Sequence, residues 1–214
     1  MARIVAIEEG ALGTVKAVAE DGSLFLFRAW YLEGAYSAMG LGEEDPPDLY
    51  ALPIDVPDEV LTLALEATLA ESRALALLAR AEQYRTGLER KLAARAAPRA
   101  AVKAALDRLE SEGLLSDERY AEAWIRQRSR HHAEGPRSLA AALSSKGVER
   151  HAVRRALASA FEGDENHAER LSAIVAAATR LTGNGSGRHE TRHGLLELGW
   201  RSVDVDDALD SMET

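Results

Sequence analysis

Two spacings of apolar residues divide this chain of 214 residues. Near the start they alternate. Arg3–Glu8 reads as a strand, and Thr14–Ala19 and Ser23–Phe27 flank Asp21-Gly22, which predicts a hairpin whose turn residues accept positive φ. Trp30–Met39 predicts a short helix on that small sheet, and Gly40–Val56, with Pro46, Pro47 and Pro53, reads as an irregular connection. From Pro57 onward the spacing becomes helical: Val60, Leu61, Ala64, Ala67, Leu75 and Leu78 mark one long helix. Further helices are predicted over Thr86–Arg95, Pro98–Glu112, Asp117–His131, Pro136–Lys146, Glu149–Phe161, Asn166–Leu181, Arg188–Leu198 and Ser202–Ser211. Gly113, Gly147 and Gly199 stand where helices should stop in the left-handed conformation, and Thr182–Gly187 reads as a mobile loop.

The helical part repeats itself. Leu92, Ala96, Ala97, Val102 and Leu106 align with Leu143, Gly147, Val148, Val153 and Leu157, and again with Leu195, Gly199, Trp200, Val205 and Leu209, at offsets of 51 and then 52 residues. Leu88, Leu139 and Thr191 fall into the same register. Each unit reads as helix, helix, glycine stop, helix. The leucine before the stop, the residue after it, and the valine and leucine of the next helix form one predicted core cluster. A three-helix unit has little core, so neighbouring units must share apolar surface. Four segments result: 1–56, a β-hairpin-containing module; 57–116, a linking helix and repeat 1; 117–163, repeat 2; and 164–214, repeat 3.

Composition narrows the chemistry. There are no cysteines, which excludes thiolate zinc sites, disulfides and cysteine nucleophiles. No apolar run reaches the roughly 18 residues of a membrane span, and the opening Met1-Ala2-Arg3-Ile4-Val5 turns polar too early for a signal peptide. A cytoplasmic protein without cofactor or membrane contact is expected. The net charge of −9 conceals a basic centre. Residues 1–73 hold 4 basic and 14 acidic groups, net −10; residues 74–163 hold 17 and 11, net +6; residues 164–214 hold 5 and 10, net −5. A protein that only neutralised DNA phosphates would be basic overall, so a mixed protein and nucleic-acid surface fits better.

The second repeat carries a distinctive string. Gly113-Leu-Leu-Ser-Asp-Glu-Arg-Tyr-Ala-Glu-Ala-Trp124, Gly135-Pro-Arg-Ser-Leu139 and Leu143-Ser-Ser-Lys-Gly147-Val148 resemble the signature of the RecX family. Ala74–Arg80 and Leu88–Leu92 are similar to that family's first repeat. The resemblance implies a mainly α fold of three tandem three-helix repeats, elongated and curved, with a small β-containing N-terminal module. It also implies a monomeric negative regulator of homologous recombination, which binds the RecA recombinase filament and inhibits its ATPase and strand exchange. Single- or double-stranded DNA within the filament is a second expected contact. Tyr84 and Gly87 depart from the family's usual serine and glutamate, and Ala96 replaces the first glycine stop.

Arg126, Arg128, Arg130, Arg137, Lys146, Arg150, Arg154 and Arg155 are the candidate contacts to recombinase or DNA, because acidic residues in repeat 2 are too few to pair them all. Direct DNA binding without recombinase is the alternative, since three-helix units can mimic helix-turn-helix geometry. His189-Glu-Thr-Arg-His193 matches the zinc hydrolase string H-E-x-x-H. Thr191 and Leu195 point inward in the repeat register, however, which places both histidines on the solvated face. Trp124, beside Ala121 and Ile125, reads as core, as does Trp200. No metal and no catalytic residue is expected.

Overall fold

The computed structural model describes residues 1–41, 48–163, 166–182 and 187–213. Its strands are β1 (Ala2–Glu9), β2 (Thr14–Ala19), β3 (Leu24–Arg28) and β4 (Ile54–Val56), forming one antiparallel sheet in the order β3-β2-β1-β4. The helices among the described residues are α1 (Ala29–Ala38), α2 (Asp58–Leu78), α3 (Arg85–Ala93), α4 (Arg99–Ser111), α5 (Asp117–Ser129), α6 (Pro136–Lys146), α7 (Arg150–Phe161), α8 (His167–Thr182), α9 (Arg188–Glu197) and α10 (Ser202–Glu213). The fold is mainly α with a small N-terminal sheet. None of these helices is long and apolar enough to cross a membrane.

The chain divides into two compact units. The first holds Met1–Ala81 and Leu88–Leu115, the second Glu82–Gly87 and Ser116–Thr214. In the first, Val15, Ala17, Ala19 and Phe27 point to one face of the sheet, where Tyr31, Leu32 and Ala35 of α1 and Val60, Leu61 and Ala64 of α2 cover them. Buried alanines on α2 (Ala67, Ala70, Ala74) and α4 (Ala101, Ala105) let those two helices pack closely. Glu71 on α2 is only 2 % exposed. It accepts from Tyr31 Oη at 2.6 Å and faces Arg28 at 2.8 Å and Arg108 at 3.9 Å, so β3, α1 and α4 all reach one buried carboxylate. Burial and Glu71 together push the Tyr31 phenol up.

Two details correct the sequence reading. Residues 54–56, expected within an irregular connection, form the edge strand β4, with Ala2 opposite Val56 and Ile4 opposite Ile54. Pro46 and Pro47 of that connection lie outside the described residues. In the hairpin only Gly22 has positive φ, at +83°. Its N–H bonds the Ala19 carbonyl and Ala19 N–H bonds the Ser23 carbonyl, giving a three-residue loop instead of a two-residue one. Asp21 instead accepts from Ser23 N–H at 2.9 Å, a bond that holds its carboxyl below the usual range.

The repeat pattern is carried into the packing. In each repeat the first helix packs against the third: α2 on α4, α5 on α7, α8 on α10. Leu88, Leu139 and Thr191 are fully buried, as are Leu92, Leu143 and Leu195. Thr191, the polar member, satisfies its hydroxyl on the Gly187 carbonyl at 3.1 Å. Ala105, Ala156 and Ala208 are also fully buried at a shared register position. The stops behave as expected: Gly113, Gly147 and Gly199 have φ of +68°, +89° and +91°. Ala96 takes the same left-handed turn at φ +57°, without the glycine that ordinarily permits it. Of the loop expected over Thr182–Gly187, residues 183–186 lie outside the described residues.

Within the second unit the helices interlock at these stops. Thr86 Oγ1 donates to the Gly147 carbonyl at 3.0 Å. At the equivalent place one repeat later, Gly135 N–H donates to the Leu198 carbonyl at 2.7 Å, and Arg137 N–H to the Gly199 carbonyl at 3.2 Å. A Cβ on Gly199 would sit 2.5 Å from Ser138 N, and one on Gly135 2.4 Å from Trp200 N. Glycine is therefore required at both for backbone approach, quite apart from φ. Trp200 locks the joint by donating its indole N–H to the Ala133 carbonyl at 3.0 Å.

Candidate functional site

The second repeat is built so that its cations point outward. Ser116 caps α5, accepting from Arg119 N–H at 3.2 Å, and Asp117 and Glu118 follow in the first turn, where the helix dipole favours acid. Ala121 and Ile125 face the core, leaving Arg126 and Arg130, one turn apart, exposed. Pro136 occupies the first turn of α6, with Leu139 and Leu143 inward and Arg137 outward. Glu149 caps α7 by accepting from Ala152 N–H at 2.7 Å, and such backbone bonds hold its carboxyl below the usual range. Ala152, Val153 and Ala156 turn in; Arg150, Arg154 and Arg155 turn out. Asp117 ties the assembly together, accepting from Arg85 N–H at 2.7 Å and Glu149 N–H at 2.8 Å.

The eight candidate cations fall into three groups. Arg137, Arg154 and Arg155 line an open groove of about 820 Å³, together with Arg201, just before the last helix of the third repeat. Its floor is apolar, made by Pro136, Leu157, Ala158, Leu196 and Trp200. Arg155 is held by Glu118 at 2.7 Å, and Arg154 contacts the His151 ring. A second group surrounds Trp124. The indole is half-buried, with the Arg128 guanidinium 5.3 Å from its centre and the Lys146 ammonium 5.8 Å from it. Trp124 packs against the core of its unit, as its place beside Ala121 and Ile125 predicts, with part of the indole left exposed. Arg128 is committed to Glu134 by a two-pronged contact at 2.6 and 2.7 Å, which holds the Glu134 carboxyl low. The third group is Arg126, Arg130 and Arg150, exposed on α5 and α7. Arg126, Arg130, Arg137 and Arg150 have no acidic partner among the described residues.

Arg201 escaped the sequence reading because it belongs to the next repeat and no local motif marks it. Only the groove reveals it. The H-E-x-x-H string is accounted for by helix architecture: the Glu190 carboxylate accepts from Gly187 N–H at 3.3 Å, capping α9. His189 and His193 are exposed, and His193 Nε2 lies 3.4 Å from Glu197. Among the described residues no three metal-ligating side chains converge. The departures at Tyr84 and Gly87 are one feature. Tyr84 packs on Tyr120 with ring centres 4.7 Å apart and planes tilted by 43°, and a Cβ at position 87 would meet the Tyr84 ring at 2.8 Å. The glycine makes room for the tyrosine.

Comparison with known proteins converges on one group. Residues 116–157 match the family model described as RecX, second three-helix domain, a span that includes all eight candidate cations. The regulatory protein RecX of Pseudomonas entomophila is 38 % identical over 115 residues, covering 53 % of this chain and 72 % of that protein. The one from Pseudomonas syringae pv. tomato is 46 % identical over 84 residues, covering 39 % and 54 %, and that of Mycolicibacterium vanbaalenii is 41 % identical over 103, covering 48 % and 56 %. The chain thus spans little more than half the length of these last two. In fold it is similar to a crystal structure of regulatory protein RecX, with TM-score 0.62 at 20 % identity over 98 % of this chain and 100 % of the other. RecX from Lactobacillus salivarius gives 0.58 at 17 %, covering 69 % and 97 %.

Proposed function

This chain belongs to the RecX family of regulatory proteins, and from that premise we propose that it binds the RecA recombinase filament on DNA and restrains its ATPase and strand exchange. It acts in the cytoplasm as a monomer, by binding and without a catalytic step of its own. The contact is made by the cations of the second repeat: Arg126, Arg128, Arg130, Arg137, Lys146, Arg150, Arg154 and Arg155. One observation carries the reading. In the repeat that matches the family model, four exposed arginines lack acidic partners among the described residues, and such charge is available to acidic protein surface or phosphate.

The test is the ATPase rate of the cognate recombinase on single-stranded DNA, titrated with this protein. Suppression at substoichiometric ratio is expected. Reversing Arg126, Arg130 and Arg154 together to glutamate should weaken filament binding by at least about tenfold while leaving the fold intact. Unchanged binding by the folded triple variant would overturn the assignment of the contact. A second reading, direct DNA binding, draws on Trp124, a half-buried indole that lies beside the Arg128 and Lys146 cations. Salt-dependent binding to DNA without recombinase, lost in Trp124→Ala, would favour it.

A further inference from the structure

The groove between the second and third repeats has a composition that the function above does not use in full. Among the described residues its rim carries four guanidinium groups, Arg137, Arg154, Arg155 and Arg201, against one carboxylate, Glu162. The positive ends of two helices, α6 at Pro136 and α10 at Ser202, open onto the same space. Internal neutralisation is weak. Glu162 stands 3.7 Å from Arg201, both of them exposed, and Asp204, already held by Arg170, lies 3.9 Å from Arg201; Arg155 and Glu118 form a surface pair that an incoming carboxylate can replace. Between the arginines the floor is formed by Leu157, Ala158, Leu196 and Trp200.

We propose that this groove is a docking site for an acidic peptide segment that carries an apolar anchor, the anchor seated on Leu157, Leu196 and Trp200 and the flanking carboxylates held by Arg137, Arg154 and Arg201. The charge pattern selects an acidic ligand, and the floor selects among acidic ligands. A phosphodiester backbone has nothing to bury on leucine and alanine, whereas a leucine or phenylalanine side chain between aspartates does. Guanidinium groups bind carboxylates with two parallel hydrogen bonds, which fixes the peptide's direction as well as its affinity. The inference rests on the reading that the second repeat faces a protein partner, and it adds the chemistry that partner must offer.

The experiment uses the full chain without recombinase and follows the anisotropy of a fluorescein-labelled peptide, Asp-Asp-Glu-Leu-Phe-Glu-Asp. Saturable binding is expected, weakened at least about tenfold when Leu-Phe is replaced by Ser-Ser and by a similar factor in Arg137→Glu/Arg154→Glu. Ala158→Glu, which sets a carboxylate on the floor, should abolish binding; far-ultraviolet circular dichroism verifies that each variant is folded. Equal affinity for the two peptides would overturn the proposal, since charge alone would then explain the binding. So would absence of peptide binding, or binding of an oligothymidylate with the same losses in the variants while the peptide fails to compete. Failure here is separable from failure of the filament reading. If no peptide binds while filament binding persists in Ala158→Glu and falls in Arg126→Glu/Arg130→Glu, the groove proposal is lost and the function stands. If the peptide binds but the filament does not, the reverse holds.

Discussion

The second and third repeats share one helical plan but treat charge in opposite ways. In the third, Arg170 meets Asp204 at 3.0 Å, Arg192 meets Asp206 at 2.7 Å with a second contact to Ser202, and Arg188 pairs with Asp210. Its arginines are largely spent inside the repeat, and Arg192 holds the Asp206 carboxyl low. In the second, Arg128 and Arg155 are paired, but Arg126, Arg130, Arg137 and Arg150 reach outward with no acid beside them among the described residues. A fold that tolerates either arrangement leaves binding to be decided by surface charge. This contrast is what supports the proposal that repeat 2 makes the contact.

The largest effects should show where the two repeats are alike. Leu143→Ala and Leu195→Ala remove equivalent, fully buried leucines, and each should destabilise by about 3–4 kcal/mol in denaturant unfolding. A loss confined to one of them would break the equivalence of the cores. Next comes a difference. Asp204 stands where the other repeats have Ala101 and Ala152, so Asp204→Ala strands the half-enclosed Arg170 and should lower stability by about 2–3 kcal/mol. Adding Arg170→Leu should recover much of that loss, turning the third repeat toward the apolar solution of the second.

Smaller effects sharpen the contrast at the stops. Gly199→Ala should lose about 2 kcal/mol and Gly147→Ala about 1 kcal/mol. Both have positive φ, but the new methyl group meets backbone at 2.5 Å in the first and the Thr86 methyl at 3.3 Å in the second. The smallest effect concerns acid. Glu134 in the second repeat and Asp206 in the third are held below their ordinary 4.5 and 3.8 by hydrogen bonds from Arg128 and Arg192. Each supplies stability that is complete above those values and is lost as pH falls through the lower folded value. Thermal melts between about pH 6 and about pH 2 should therefore fall less steeply in Glu134→Gln and in Asp206→Asn than in the parent.

Most of this architecture was legible from local sequence. The 51- and 52-residue offsets located the buried leucines, and the glycines located the stops, because both depend on residues a few positions apart. Interactions between distant parts were not legible. Strand β4 is three residues long and follows Pro53, so only its pairing with β1 defines it. The Glu71 cluster gathers Arg28, Tyr31 and Arg108 from three elements with no shared motif. The groove stayed hidden for the same reason, as Arg201 joins Arg137 and Arg154 only through packing. Tyr84 and Gly87 looked like two weaknesses until their contact showed one compensated change.

The seating of one turn on the next glycine stop is directional. The Thr86 hydroxyl serves Gly147, and Gly135 and Arg137 serve the turn at Leu198–Gly199, each from the earlier segment to the later one. The series therefore has a direction, and the middle repeat carries both a donor edge and an acceptor edge. A whole unit copied and spliced at a stop would present the matching edge to both neighbours, so such a chain can lengthen by duplication without inventing a new joint. Ala96 fits that logic. It bears the left-handed turn in the first repeat, ahead of the two seated stops, and its side chain is exposed.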